Sequence, residues 1–93
     1  MSNKASYASV VLLMFLRNLG KRTNSIQQTI NFADMQLNKL GIECDLSSTT
    51  KYRTIKEMIS VGLLDAVRNE SGNESVGASD KVEKYFRGKK DEN

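Results

Sequence analysis

Between Ser47 and Arg53 the chain sets four small hydroxyls (Ser47, Ser48, Thr49, Thr50), an ammonium (Lys51) and a guanidinium (Arg53) close together, and Lys56 follows. Hydroxyls and cations at that density hold oxyanions. A guanidinium adds a planar fork of donors that fits phosphate or the O6/N7 edge of guanine. Further along, Arg68 and Asn69 stand among turn-forming residues, where a cation and an amide can reach a phosphate or a groove edge. Catalysis has no comparable set. His is absent, the single Cys44 has no imidazole to activate it, the acids are scattered, and there is no Gly-rich phosphate loop. No enzyme activity, cofactor or metal is expected, and one Cys cannot close a disulfide within the chain.

These residues need a rigid carrier, and the pattern predicts a helix over about 47–61. With Ile55 at the centre of a face, Tyr52, Met58, Ile59 and Gly62 fall within about one quadrant of it, while Thr49, Thr50, Arg53, Lys56, Glu57 and Ser60 fall opposite. Ser47 or Ser48 can cap the first turn and Gly62 can stop the last. The polar face therefore leads with Ser48, Thr49, Thr50, Lys51 and Arg53, and Lys56 lies further along. Residues 63–78 read as a hairpin: Leu63, Leu64, Ala66 and Val67 outward, Asn69, Ser71, Gly72 and Asn73 at the turn, and Glu74, Val76 and Ala78 on the return. Arg68 and Asn69 sit at its tip, together with Glu70 and Glu74, which a polyanion would repel.

The elements before and after must support that unit. A first helix is expected over about 6–19. Its apolar residues surround the axis instead of lining one stripe, which calls for cover on more than one side and points to a homodimer. Arg17, Lys21 and Arg22 follow, suited to the negative pole of that helix. Residues 24–41 are helical in period. Asn24 with Gln27 resembles a capping box, and Asn31 with Asp34 resembles a second start. Two short helices, about 24–30 and 32–41, are therefore expected, with one continuous helix as the alternative. After the hairpin, Ser79 or Asp80 caps a last helix over 80–88 with Val82, Tyr85 and Phe86 on its apolar edge, and residues 89–93 read as a frayed tail.

The chain has 93 residues, 14 Lys and Arg against 11 Asp and Glu, and a net charge of +3. That length suits one small domain, and the charge permits nucleic acid without demanding it. The apolar run Val10–Leu16 is too short to span a bilayer and is not framed like a signal peptide, so no membrane association is expected. The cysteine usage fits a reducing, cytoplasmic setting.

The order of parts, a helix opening on hydroxyls and running through a glycine into a hairpin, is that of the second half of a winged helix-turn-helix. The run Tyr52-Arg-Thr-Ile55-Lys-Glu-Met58-Ile-Ser-Val-Gly62-Leu63-Leu64 resembles the recognition-helix signature of the winged-helix superfamily, most closely its PadR-like branch. The expected fold class is thus mainly α with a small β-hairpin, 1–93 forming one winged helix-turn-helix domain with an N-terminal and a C-terminal helix. In overall look and length the chain also resembles the AspA-like centromere-binding proteins of archaeal plasmid partition cassettes. That resemblance implies a dimer on a palindromic site in double-stranded DNA, spreading from that site, and recruitment of a ParB-type adaptor linked to a ParA-type ATPase. A winged-helix transcriptional repressor is the alternative use, and a protein-protein interaction module on the same fold is the alternative of another class.

Overall fold

A computed structural model describes the backbone of residues 3–91 and the side chains of residues 4–88. Among them the order is α1 (Asn3–Arg17), α2 (Ile26–Lys39), α3 (Ser48–Ser60), β1 (Leu64–Arg68), β2 (Glu74–Ala78) and α4 (Asp80–Asp91). The protein is mainly helical, with one small antiparallel hairpin. No described helix is long and apolar enough to cross a membrane.

Helix α1 buries Tyr7, Val11 and Phe15, each four residues after the last and so on one stripe. Ala8, Val10, Leu12 and Met14 are half-buried on its shoulders, while Leu13 is 57% exposed. The all-round apolar character of the sequence thus resolves into one deep stripe and a partly wet flank.

Helix α2 is a single helix, which corrects the expectation of two. It buries Ile26, Thr29, Ile30, Ala33 and Leu37 along one face, and neither Gly nor Pro interrupts it. Asn31 does not restart the helix; its Oδ1 accepts from Gln27 Nε2 at 3.0 Å along the exposed surface. Asp34 instead faces Lys51 of α3 at 3.0 Å. The cap also falls one residue later than Asn24. Ser25 Oγ accepts from Gln28 N–H at 2.9 Å, and Gln28 Oε1 accepts from Asn24 N–H at 2.7 Å.

Helix α3 is capped by Ser47, whose Oγ accepts from Thr50 N–H at 3.2 Å. It ends where Gly62 takes φ +86° and Leu63 N–H donates back to the Met58 carbonyl at 2.9 Å. Only glycine enters that left-handed region without strain. The turn delivers the chain into β1, which pairs with β2 from Leu64↔Ala78 to Arg68↔Glu74. Leu64 and Val76 point inward and join Ile55, Met58 and the α1 stripe in one core.

The segment before α2 completes this sheet. Thr23 N–H donates to the Val76 carbonyl at 2.8 Å and the Thr23 carbonyl accepts from Val76 N–H at 3.3 Å, a short third rung on β2. Arg22 does not cap α1 as its position suggested. Its guanidinium donates to Asp65 Oδ2 (3.0 Å), the Asp65 carbonyl (3.2 Å), Ser75 Oγ (3.1 Å) and the Ser75 carbonyl (2.7 Å), clasping both strands. Gly77 leaves room for this: a Cβ there would lie 3.0 Å from Arg22 Cγ.

Ser79 caps α4, accepting from Val82 N–H at 3.3 Å while donating to the Gly62 carbonyl at 2.7 Å. Helical backbone continues to Asp91, beyond the expected start of a frayed tail at 89; residues 92 and 93 lie outside the described residues. Helix α4 touches the rest of the chain sparsely and leaves Tyr85 and Phe86 exposed in an edge-to-face pair.

Candidate nucleic-acid interface

Burial divides α3 sharply. Thr54, Ile55 and Met58 face the core. Ser48, Thr49, Tyr52, Arg53, Lys56, Glu57 and Ser60 are exposed, so the outer face begins with two hydroxyls and continues through a phenol, a guanidinium and an ammonium. The free N–H groups of the first turn point the same way along the helix axis, adding partial positive charge where these side chains begin. Thr50 is half-buried; its Oγ1 shares a hydrogen bond of 3.0 Å with Ser47 Oγ, so it braces the cap.

Tyr52 stands in a different place from the one its apolar ring suggested. It is 45% exposed and lies beside Arg53 instead of in the core; Thr54 takes the inward position. The signal was present in the spacing, since Tyr52 falls four residues after Ser48 and four before Lys56, on one exposed row.

The cations separate into paired and unpaired ones. Lys51 turns away from the outer face: its side chain is 15% exposed, its Nζ is 3.0 Å from Asp34 Oδ1, and it lies 5.8 Å from the Tyr7 ring centroid. It ties α3 to α2 and α1, and its expected place at a groove is corrected accordingly. Lys56 Nζ reaches the Glu74 carboxylate at 3.3 and 3.4 Å, bridging α3 to the hairpin. Arg53 is exposed, and among the described residues no hydrogen bond or ion pair engages it.

At the hairpin tip, Arg68 is exposed and donates from Nη1 to the Gly72 carbonyl at 2.8 Å, which leaves its other donors outward. Asn69 is half-buried and engaged by its own chain. Its Nδ2 donates to the Asn24 carbonyl at 2.9 Å, and its Oδ1 accepts from Ser71 Oγ at 2.8 Å and Asn73 N–H at 3.0 Å. This amide fastens the turn to the segment before α2. Between the hairpin and α3 runs an open groove lined by Tyr52, Lys56, Arg68, Asn73, Glu74 and the first turn of α2.

The structure therefore gathers Ser48, Thr49, Arg53, Lys56 and Arg68, with Tyr52 and Glu57, on one side, turns Lys51 away from it and engages Asn69 in the hairpin turn. Among the described residues no group of three or more His, Cys, Asp or Glu is placed to hold a metal ion. In comparisons with protein-family models, curated proteins and solved structures, nothing matches this chain.

Proposed function

We propose that the protein is a winged helix-turn-helix DNA-binding protein, with α2 and α3 as the helix-turn-helix, α3 as the recognition helix and the β1–β2 hairpin as the wing. The observation that carries this is the outer face of α3: an exposed row of hydroxyls, Tyr52 and an unpaired Arg53 at the leading end of a helix beside a hairpin that presents Arg68. The short third rung at Thr23, which anchors the hairpin to the start of α2, supports the same architecture. Ser48, Thr49, Tyr52 and Arg53 face the major groove, and Lys56 and Arg68 face the backbone along one edge of it. No catalytic step is assigned.

The protein acts as a homodimer on a palindromic site, its two α3 helices entering successive major grooves about 34 Å apart. Its resemblance to the AspA-like partition proteins favours plasmid segregation, with spreading along DNA and a ParB-type adaptor that connects to a ParA-type ATPase; local transcriptional repression is the competing use. Arg53→Ala tests the interface. If Arg53 reads a base, the variant loses about 1–3 kcal/mol on the palindromic site and much less on random duplex. Equal losses on both make Arg53 a phosphate contact, and no loss on either removes α3 from the interface.

A further inference from the structure

We propose that a DNA backbone phosphate seats in the groove between α3 and the hairpin, held by Lys56 and Arg68, and that the Glu74 carboxylate is its intramolecular stand-in. The proposal rests on the DNA-binding reading above and adds a site and a means of setting affinity to it.

Three observations carry it. Glu74 is the first residue of β2 and pairs in register with Arg68, so its backbone is fixed beside a cation. Its carboxylate nevertheless reaches across to Lys56, with both oxygens at 3.3 and 3.4 Å from Nζ, while Arg68 spends its Nη1 on the Gly72 carbonyl. The carboxylate therefore lies against Lys56 between helix and hairpin, in a groove that Arg68 also lines. Lys56 also follows Tyr52 and Arg53 on the exposed side of α3, so a duplex lying on that face would bring its backbone to this groove.

An exposed pair of this kind is held weakly and exchanges readily. When phosphate replaces the carboxylate, Lys56 exchanges one anion for another, so the contact with Glu74 is given up before the phosphate contact forms. Glu74 thus acts as a brake that lowers affinity independently of base sequence. Phosphate contacts act in the same sequence-independent way.

The test measures binding of the full chain to a palindromic and a random duplex by fluorescence anisotropy across a salt series, for the wild type, Glu74→Gln, Lys56→Ala and the double variant. Glu74→Gln is expected to tighten binding about threefold to tenfold at low salt, equally on both duplexes, with the gain shrinking as salt rises. In the Lys56→Ala background the gain should fall to about twofold or less, because the brake works through that lysine. Glu74→Thr, a strand-forming residue at the same position, should repeat the gain and guards against a folding defect in one variant. Unchanged or weaker binding by both Glu74 variants overturns the proposal, as does a full gain that survives Lys56→Ala. Absence of DNA binding by every variant instead overturns the reading on which the proposal rests.

Discussion

Tyr7 is fully buried at the N-terminal end of the α1 stripe, and no hydrogen-bond partner among the described residues reaches its hydroxyl. Burial, and after it the nearby Asp34 and Cys44, hold its pKa well above the ordinary phenol value. The folded chain keeps this proton where the unfolded chain releases it, at about pH 10. The contribution to stability is therefore complete below about pH 10 and is lost as pH rises toward the folded pKa. Tyr7→Phe keeps the ring and removes the orphan oxygen, whose burial costs about 1–3 kcal/mol. Chemical denaturation should find the variant as stable as the wild type or up to about 1 kcal/mol more so, with a shallower decline above about pH 10. A loss of more than about 1 kcal/mol at neutral pH would mean that the hydroxyl is satisfied in solution. At this scale the sequence discloses residue types better than roles. The hydroxyl-rich start of α3 and its Arg53 are visible in a linear reading. The capture of Lys51 by Asp34 is not, because it depends on how α2 lies against α3. The bond from Asn69 to the Asn24 carbonyl depends likewise on where α2 begins.

At the scale of elements, the hairpin is steadied by Arg22, whose four hydrogen bonds join the segment before α2 to both strands. Its side chain is 34% exposed, so the charged pair with Asp65 is partly screened and the backbone bonds carry much of the effect. Arg22→Met retains most of the stem and removes every donor. It should destabilise the protein by about 1–2 kcal/mol and speed hydrogen exchange at the Val76 amide, which rests on the same rung. Unchanged exchange at Val76 would contradict the clasp. The legible elements were those with local signals: the cap at Ser47, the left-handed glycine at Gly62 and the turn residues between β1 and β2. Helix α2 was harder, because Asn31 and Asp34 look like a new N-terminus in sequence and serve other bonds in the fold. The third rung at Thr23 had no local signal, since a single paired residue leaves no alternation to read.

At the scale of the molecule, the exposed apolar side chains of α1 and of the sparsely anchored α4 are what a second copy would cover. Leu13 is 57% exposed and Tyr85 58%. Each such side chain contributes about 1.5–3 kcal/mol when fully buried, so a few suffice for a dimer at working concentrations. Light scattering coupled to gel filtration should give twice the chain mass for the wild type and a shift to the chain mass for Leu13→Glu, with far-UV circular dichroism unchanged. A wild type that stays at the chain mass at tens of micromolar would remove the dimer and with it the palindromic site.

The most direct measurement is a footprint titration of the protein on the DNA that flanks its own gene, at low and at physiological salt. A palindromic footprint that weakens with salt and lengthens as protein is added is expected if the protein spreads along DNA as proposed. A footprint that stays confined to one promoter site at all concentrations would contradict spreading and leave a local repressor. No protection at either salt would contradict the DNA-binding reading itself.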